Sequence, residues 1–274
     1  MMNLRRGLTE VWDSGEAYEG YVGRWSRLVA REFLGWLGVP PGRRWLDEGC
    51  GTGVLSQTII KLAAPVSVVG VDPSSNYVTY ARDRLADSPI AFAGVVGDAR
   101  ALPVADGAVD VVVSGLMLNF VPAADHAAAV AEMRRAVRPG GTIAAYVWDY
   151  AEGMGLMRHF WDEANALDPA LDLDEGQRFP ICQPGTLAAL FRAGGLVDVA
   201  VRAIDVPTPF RDFDDYWAPF LGGQGAAPSY AMSLGEDHRA ALRERIRAGL
   251  PFAPDGSIHL TARAWAVKGL RTED

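Results

Sequence analysis

A short stretch near residue 50 restricts the fold of this chain more than any other feature. A buried-strand pattern that begins at Trp45 leads into glycines at alternate positions, Gly49, Gly51 and Gly53, and an apolar helical pattern starts at Val54. Alternate glycines allow the backbone to turn sharply and leave its N–H groups open to a ligand. A strand, a glycine turn and a helix in this order predict the nucleotide-binding turn of an open, doubly wound α/β sheet.

The charge ahead of the glycines indicates which ligands suit the turn. Asp47 and Glu48 precede it directly, and Val54 stands where the dinucleotide fingerprint has its last glycine. A pyrophosphate bound there would meet two carboxylates, and like charges at that distance repel. A cationic ligand is therefore favoured, and S-adenosylmethionine, which has a sulfonium, an ammonium and no phosphate, meets this condition. A Rossmann-like turn for another nucleotide is the alternative.

Strand and helix patterns alternate after this turn, and such alternation predicts a parallel sheet. Asp72 ends the second strand, about 20 residues beyond the glycines, where an acid accepts hydrogen bonds from both ribose hydroxyls; a helix cap is the alternative role. Pro139-Gly140-Gly141 predicts a tight turn before the fifth strand, and alternation at Val197, Val199 and Val201 predicts a half-buried sixth strand. The second to fifth strands are expected at 66–71, 90–96, 109–113 and 142–147.

At these strand ends the chain resembles the class I S-adenosylmethionine-dependent methyltransferases of small molecules, a group that includes the ubiquinone and menaquinone methyltransferases. The motifs cover residues 40–148. The resemblance implies a mostly parallel, Rossmann-like sheet of seven strands in the order 3-2-1-4-5-7-6, with the last strand antiparallel. It also implies S-adenosylmethionine as cofactor and S-adenosylhomocysteine as product. Glu48 departs from the family, which usually has an apolar residue there.

The resemblance also implies which residues bind the cofactor. Asp98 would accept a hydrogen bond from the adenine amino group; the alternative is an aspartate that only stabilises a turn. Tyr21 or Arg24 of the leading helix would reach the methionine carboxylate. Packing of the helix on the sheet is the alternative for Tyr21. The full predicted cofactor site is Tyr21, Asp47, Gly49, Cys50, Gly51, Asp72, Pro73, Asp98, Ala99, Ser114 and Leu116.

The predicted substrate pocket is less specific. A histidine is common in the family where Asn119 stands, and an asparagine cannot act as a base near neutral pH. Among the four histidines, elimination leaves His159 as the best candidate for a general base, with a surface helix histidine as the alternative. The residues expected to line the pocket are Met117, Asn119, Trp148, Phe160, Tyr216 and Trp217.

The chain is expected to form one methyltransferase domain. Its predicted parts are a cap helix at 10–38, a cofactor-binding core at 40–150, helical lid insertions at 151–182 and 207–256, and a final strand at 257–270. Aromatic residues from Phe210 to Phe220 followed by glycines favour a lid in the second insertion; a dimer interface is the alternative.

Three further predictions concern single side chains. Asp125 is expected to cap a helix that runs from His126 to Val137, and Ser233 with Glu236 has the spacing of a capping box. Because an unpaired buried carboxylate is costly, Glu48 is expected to be paired, with Arg43, Arg44 or a more distant partner.

Composition excludes several classes of function. The 274 residues are 49% hydrophobic, with a net charge of −8 and no basic run, which disfavours nucleic acid and favours a small-molecule substrate. Two cysteines and four histidines make no metal pattern. No signal peptide and no apolar run of membrane-spanning length are found. We therefore expect a cytoplasmic monomer or homodimer without a membrane partner.

The leading functional hypothesis is methyl transfer to a small, largely apolar or aromatic acceptor. A cyclase or decarboxylase that binds S-adenosylmethionine without methyl transfer is the first alternative. A nicotinamide oxidoreductase is disfavoured by Val54 and by the two acids before the glycines, and a non-catalytic binding protein is the last alternative.

Overall fold

The computed structural model describes residues 2–3, 9–10, 19–222 and 225–273, with side chains from residue 21 onward. The chain divides into two compact units. The first unit is Met1–Trp25, Trp148–Pro180 and Asp205–Arg263, and the second unit is Ser26–Val147, Ile181–Ile204 and Ala264–Asp274. Nearly all of the two predicted insertions falls in the first unit, and their action as lids stays a prediction.

A seven-stranded sheet has the order 3-2-1-4-5-7-6 with an antiparallel last strand, which confirms the predicted topology. The apolar runs of its central strands are buried, as is usual when helices cover both faces of a parallel sheet. The strands are β1 Arg44–Glu48, β2 Ser67–Asp72, β3 Phe92–Val96, β4 Val109–Gly115, β5 Val137–Trp148, β6 Leu196–Phe210 and β7 Ile258–Arg271.

The register of the parallel strands brings the predicted site residues to one edge of the sheet. Glu48, the last residue of β1, is the partner of Val71 in β2 and of Ser114 in β4. Asp72 is the next residue of β2. Because the carboxyl ends of parallel strands face the same way, Asp47, Asp72 and Ser114 all lie where ligands bind in open α/β sheets.

The helices follow the expected alternation with the strands. Among the described residues, no helix is long and apolar enough to cross a membrane. The helices are α1 Arg24–Leu37, α2 Val54–Leu62, α3 Ser75–Arg84, α4 His126–Ala136, α5 Gly155–Leu167, α6 Glu175–Arg178, α7 Pro184–Ala193, α8 Phe213–Trp217, α9 Ala226–Ser233 and α10 Glu236–Gly249.

A π-helical turn, Glu19–Gly23, precedes the regular part of the leading helix, α1. Residues 11–18 of the predicted cap helix lie outside the described residues. Gly20 and Gly23 lie in the π-helical turn, and glycine weakens a helix by up to about 1 kcal/mol relative to alanine. The aromatic and aliphatic stripe of α1 is buried, as expected from its spacing.

The two predicted helix caps have different outcomes. Asp125 stands at the cap position of α4, as predicted, but its side chain makes no cap hydrogen bond; its carboxylate accepts one from Arg100 Nη1 at 2.9 Å. The predicted capping box of α10 is wrong. Ser233 is the last residue of α9, and its hydroxyl donates to the carbonyl of Tyr230 at 2.7 Å. Gly235 holds the cap position of α10 instead. Serine hydroxyls often bond a carbonyl of the preceding turn, and this competes with capping.

Two strands differ from their predicted limits. β5 begins at Val137 and includes the turn that was predicted at Pro139-Gly140-Gly141. The register of its pairing with β4 shifts there, between Val109 and Val111 of β4. In β6 the predicted half-buried face is wrong for Val197, which is 44% exposed. A left-handed φ of 51° at Asp198 interrupts the extended pattern. Buried and exposed side chains alternate regularly only in the second half of β6, where Ile204, Val206, Thr208 and Phe210 are buried.

Candidate functional site

The glycine turn has the backbone geometry that its sequence requires. Gly49, Gly51 and Gly53 have φ values of 71°, 50° and 79°, in the left-handed region that side chains rarely adopt. A Cβ atom on Gly49 would lie 2.2 Å from Met117 Cγ, whereas one on Gly51 would meet nothing within 4 Å. The turn is therefore packed against the chain after β4 on one side and open at Gly51.

The Asp72 carboxylate is held against this turn from the end of β2. Its Oδ2 accepts from the Gly51 N–H and its Oδ1 from the Ser74 N–H, both at 2.9 Å. Burial raises the pKa of Asp72, and the two N–H donors oppose that rise. The alternative of a helix cap is disfavoured, because Ser74 caps α3 by accepting from the Tyr77 N–H. Each carboxylate oxygen keeps a lone pair for a hydroxyl.

Asp47 provides a second carboxyl group at the start of the turn. It is 1% exposed, and its Oδ2 accepts from the Ser56 hydroxyl at 2.6 Å. The pKa of Asp47 is raised to about 7. Burial is the largest cause, the charge of Asp72 adds to the rise, and the hydrogen bonds from Ser56 oppose it. Its Oδ1 has no partner among the described residues. An ammonium group at this oxygen would favour the ionised form. Ser56 was not predicted as a site residue, although its place in the first turn of α2, close behind the glycine turn, was a signal.

Glu48 has no partner among the described residues, so the predicted pairing with Arg43 or Arg44 is wrong and a more distant partner is not found there. Its side chain is 0% exposed, and neither carboxylate oxygen has a hydrogen-bond partner among the described residues. Arg44 instead pairs with Asp110, with 3.1 Å between Nε and Oδ2. Burial raises the pKa of Glu48 well above its usual value, and the charges of nearby acids raise it further. Burial and the neighbouring acids therefore favour the neutral form of this side chain.

Asp98 lies at the end of β3, beside an arginine that sequence analysis did not single out. Arg100 Nη2 lies 2.6 Å from Asp98 Oδ2, and Arg100 Nε donates to Oδ1. These bonds lower the pKa of Asp98 to about 2. The spacing Asp98-x-Arg100 was the signal for this pair. An adenine amino group would donate to the lone pairs of Asp98 that Arg100 does not use. The binding of adenine by Asp98 and Ala99 stays a prediction.

The segment after β4 is held in an unusual conformation. Leu116 has a φ of 60° and donates its N–H to the carbonyl of Tyr146 at 2.8 Å. A non-glycine residue in this region costs about 1–3 kcal/mol, and such strain is common at binding sites. Ser114 and Asn119 are buried, and their polar side-chain atoms have no partner within the described parts of the chain. Polar groups are thus available beside the glycine turn.

These residues make a site suited to an adenosine with a cationic side chain. Both Asp72 oxygens lie at the turn, Asp47 Oδ1 has no partner among the described residues, and Gly51 leaves open space. Cys50 is buried, and burial raises the pKa of its thiol, so it is a structural residue of the turn. Pro73 is exposed, while Ala99, Leu116 and Met117 are half-buried.

Comparison with known proteins agrees with this geometry. Residues 46–141 match the family model described as the methyltransferase domain. This part of the chain resembles a methyltransferase domain. It is 36% identical over 116 residues to the ubiquinone/menaquinone biosynthesis C-methyltransferase UbiE of Burkholderia cenocepacia, which covers 40% of this chain and 47% of that protein. The chain spans less than half the length of the curated relatives that it matches.

Solved structures of methyltransferases share the fold of this chain. Phosphoethanolamine N-methyltransferase 2 of Haemonchus contortus superimposes with a TM-score of 0.58 at 16% identity, covering 94% of this chain and 57% of that chain. The 4+2 cyclase SpnF superimposes with a TM-score of 0.54 at 17% identity, covering 92% of this chain and 81% of that chain. These similarities confirm the class I methyltransferase fold that the strand-end motifs predict.

The first unit contains most of the residues that were predicted to line the substrate pocket. Phe160, Tyr216 and Trp217 belong to an aromatic cluster with Phe220, defined by ring contacts that include a 4.5 Å stack of Phe160 on Phe220. Tyr21 meets Phe220 edge-on at 5.9 Å. These side chains and Trp148 are at least 95% buried. Their burial is also what core packing would produce, so their role in the pocket stays a prediction.

His159 lies in α5, next to Phe160 in sequence. Its side chain is half-buried, and burial lowers its pKa while Asp162 and Glu163 oppose the change. The imidazole is therefore neutral near pH 7, which is the state that can accept a proton.

Proposed function

We propose that the protein transfers a methyl group from S-adenosylmethionine to a small, largely apolar or aromatic acceptor. One observation carries this proposal: the Asp72 carboxylate is bonded to the Gly51 N–H of an open glycine turn, with the Asp47 carboxyl beside it. Carboxyl groups at the start of the turn and at the end of β2 suit a cation and ribose hydroxyls, and in their ionised form they repel a pyrophosphate. The match to the methyltransferase domain supports the same choice.

The proposed roles in cofactor binding follow from these contacts. Asp72 accepts from the ribose hydroxyls with Pro73 beside it, and Asp47 accepts from the ammonium group. Gly49, Cys50 and Gly51 supply backbone groups from the turn. Asp98 and Ala99 bind the adenine edge, and Ser114 and Leu116 border the methionine half. When bound, the cofactor supplies an electrophilic methyl group on its sulfonium. The role of Tyr21 and the oligomeric state, monomer or homodimer, stay predictions.

The protein's own contribution to methyl transfer is proposed to be alignment and exclusion of water. Good positioning of two reactants can supply about 7–11 kcal/mol of the barrier. Charge is dispersed during the attack, so a base is needed only where the attacking atom starts protonated. Asn119 cannot supply that base, because an amide does not titrate near neutral pH.

We propose His159 as the residue to test for proton removal. Because its pKa is lowered, we expect His159→Gln to reduce kcat at least tenfold at pH 7 and to remove the acid limb of the pH–rate profile. The affinity for S-adenosylmethionine should not change. His238→Gln, on the exposed surface of α10, is the matched control. An unchanged kcat would remove His159 from the mechanism and leave positioning alone.

The proposed function is tested by binding and then by product analysis. We expect calorimetry to detect binding of S-adenosylmethionine and of S-adenosylhomocysteine, and no binding of NAD. Incubation of a metabolite library with methyl-labelled cofactor should then give a labelled acceptor and S-adenosylhomocysteine. Turnover of a substrate with the cofactor recovered intact would favour the cyclase alternative, which the shared fold of SpnF makes worth testing. Tighter binding of NAD than of S-adenosylmethionine would contradict the proposal.

A further inference from the structure

Ser56 holds one oxygen of the Asp47 carboxyl group in place. It lies in the first turn of α2 and is 0% exposed, and Asp47 is 1% exposed. The Ser56 hydroxyl donates to Asp47 Oδ2 at 2.6 Å, and the Ser56 backbone N–H bonds the same carboxyl group. Because both side chains are buried, bulk water does not compete for these bonds. The two donors of Ser56 therefore fix the orientation of the Asp47 carboxyl group.

Helix α2 has an unfilled cap, which explains why Asp47 bonds Ser56. Gly53 stands at the cap position with a φ of 79° and makes no side-chain cap bond. The first N–H groups of a helix have no partner within the helix, and the helix dipole favours a negative charge there. Asp47, near the end of β1, supplies the acceptor that a capping side chain would give. The first turn of α2 therefore favours the ionised form of Asp47.

The other groups near Asp47 make its ionisation depend on Ser56. In the neighbouring strands its register partners are Gly70 and Val113, which carry no charge. Burial and the charge of Asp72 favour the neutral form, and the two Ser56 bonds favour the ionised form. The ionisable groups that interact with Asp47 or bond its turn are Glu48, Cys50, Asp72 and Arg84. Loss of the Ser56 hydroxyl would thus shift the balance toward the neutral acid.

We propose that Ser56 is a positioning residue, which acts through Asp47 to make the protein recognise the ammonium group of S-adenosylmethionine. This inference rests on the proposed function, in which Asp47 accepts from that ammonium group. Ser56 occupies Oδ2 of Asp47, and Oδ1 has no partner among the described residues. The hydroxyl therefore favours the ionised carboxylate and leaves its other oxygen for the ligand.

The proposal links recognition of the ammonium group to pH. The pKa of Asp47 is raised to about 7, so the carboxyl group changes its charge near neutral pH. The ionised fraction rises as the pH rises through this value, and the ionised form attracts an ammonium group as a full charge. Affinity for a ligand with an ammonium group should therefore increase up to about pH 7 and then level off. A ligand without that group should not respond to the charge of Asp47.

The test compares two ligands that share adenine, ribose and sulfur. S-adenosylhomocysteine has the amino-acid end, and 5′-methylthioadenosine lacks it. Both are titrated calorimetrically into the full chain between pH 5.5 and pH 8.5. The ratio of their affinities at each pH cancels the titration of Asp72 at the shared ribose. We expect the ratio to rise by up to about tenfold per pH unit below pH 7 and to level off above it.

Ser56→Ala should move this profile to higher pH. Hydrogen bonds to ionised groups are roughly twice as strong as those to neutral groups, so loss of the hydroxyl should raise the levelling point by about one pH unit. At pH 7 the ratio should fall about fivefold relative to wild type, and at pH 8.5 it should return to within about twofold. Affinity for 5′-methylthioadenosine should not change. Ser56→Cys, which has a weaker donor, should give a smaller shift and tests the bond where Ser56→Ala fails to fold.

Thr58→Val is the matched control. Thr58 lies in the same helix, and its hydroxyl donates to the carbonyl of Val54 at 2.7 Å. The substitution removes a hydroxyl from α2 with almost no change of shape and leaves the bonds of Asp47 in place. We expect the affinity ratio and its pH profile to match those of wild type.

Three outcomes would contradict the proposal. An equal loss of affinity for both ligands in Ser56→Ala would show a structural role only, and a wild-type profile in that variant would show that the hydroxyl does not matter. A ratio that does not change with pH in wild type would separate the ammonium group from Asp47. Failure of the proposed function looks different, because wild-type protein would then bind neither ligand, which would overturn both.

Discussion

Replacement of Glu48 by leucine is expected to stabilise the protein. The wild-type side chain is 0% exposed, and both of its carboxyl oxygens lack a partner among the described residues. Leucine has a similar volume and no polar atoms, so the variant avoids the cost of an unsatisfied buried polar group, about 1–3 kcal/mol. A gain of that size would raise Tm by roughly 2–4 °C per kcal/mol in a protein of this length.

The effect of Glu48 should depend on pH. Because its pKa is raised in the folded state, the protonated side chain favours folding fully below the unfolded pKa, and that contribution is lost as the pH rises toward the folded pKa. Asp47, whose folded pKa is about 7, acts in the same direction. We therefore expect wild-type stability to fall between pH 5 and pH 8 in denaturant titrations, and Glu48→Leu to show a smaller fall.

Glu48→Gln is the control that separates titration from polarity. Glutamine has the same shape and cannot ionise, so it should reduce the pH dependence as leucine does. It keeps two unsatisfied polar groups and should therefore gain less stability at pH 5. If Glu48→Leu is less stable than wild type at both pH values, the carboxyl group has a stabilising partner and the assignment of a neutral core acid is wrong.

Asp72→Ala is expected to weaken S-adenosylmethionine binding at least a hundredfold. The proposed ribose contacts are two hydrogen bonds to a charged acceptor, each worth about 1.5–3 kcal/mol, and 1.4 kcal/mol is a factor of ten. The substitution also removes the acceptor of the Gly51 N–H, which is 2.9 Å from Asp72 Oδ2. Calorimetry with S-adenosylmethionine and S-adenosylhomocysteine measures the loss.

Asp110→Ala is the matched control for Asp72. Asp110 lies near the beginning of β4, away from the carboxyl ends of the strands, and accepts from Arg44 and Arg138. Its replacement should lower Tm and leave cofactor affinity unchanged, which separates loss of stability from loss of the ribose acceptor. An affinity of Asp72→Ala within threefold of wild type would show that Asp72 does not bind the ribose.

The local sequence was sufficient to predict the succession of strands and helices along the chain and the position of the glycine turn. Strand residues alternate or form apolar runs, glycines occupy positive φ values, and acids end the strands, so each of these features depends on near neighbours. Asp72 could be predicted because strand ends and turn spacing place it beside the glycines. The seven-strand order came from the family resemblance, since periodicity alone does not specify strand neighbours.

The tertiary structure decided which partner each polar side chain found. The Asp125 carboxylate bonds Arg100, the Ser233 hydroxyl bonds a carbonyl of its own helix, and Glu48 has no partner among the described residues. Sequence shows which groups can form bonds, but the choice among several partners depends on distances set by the packing of segments far apart along the chain.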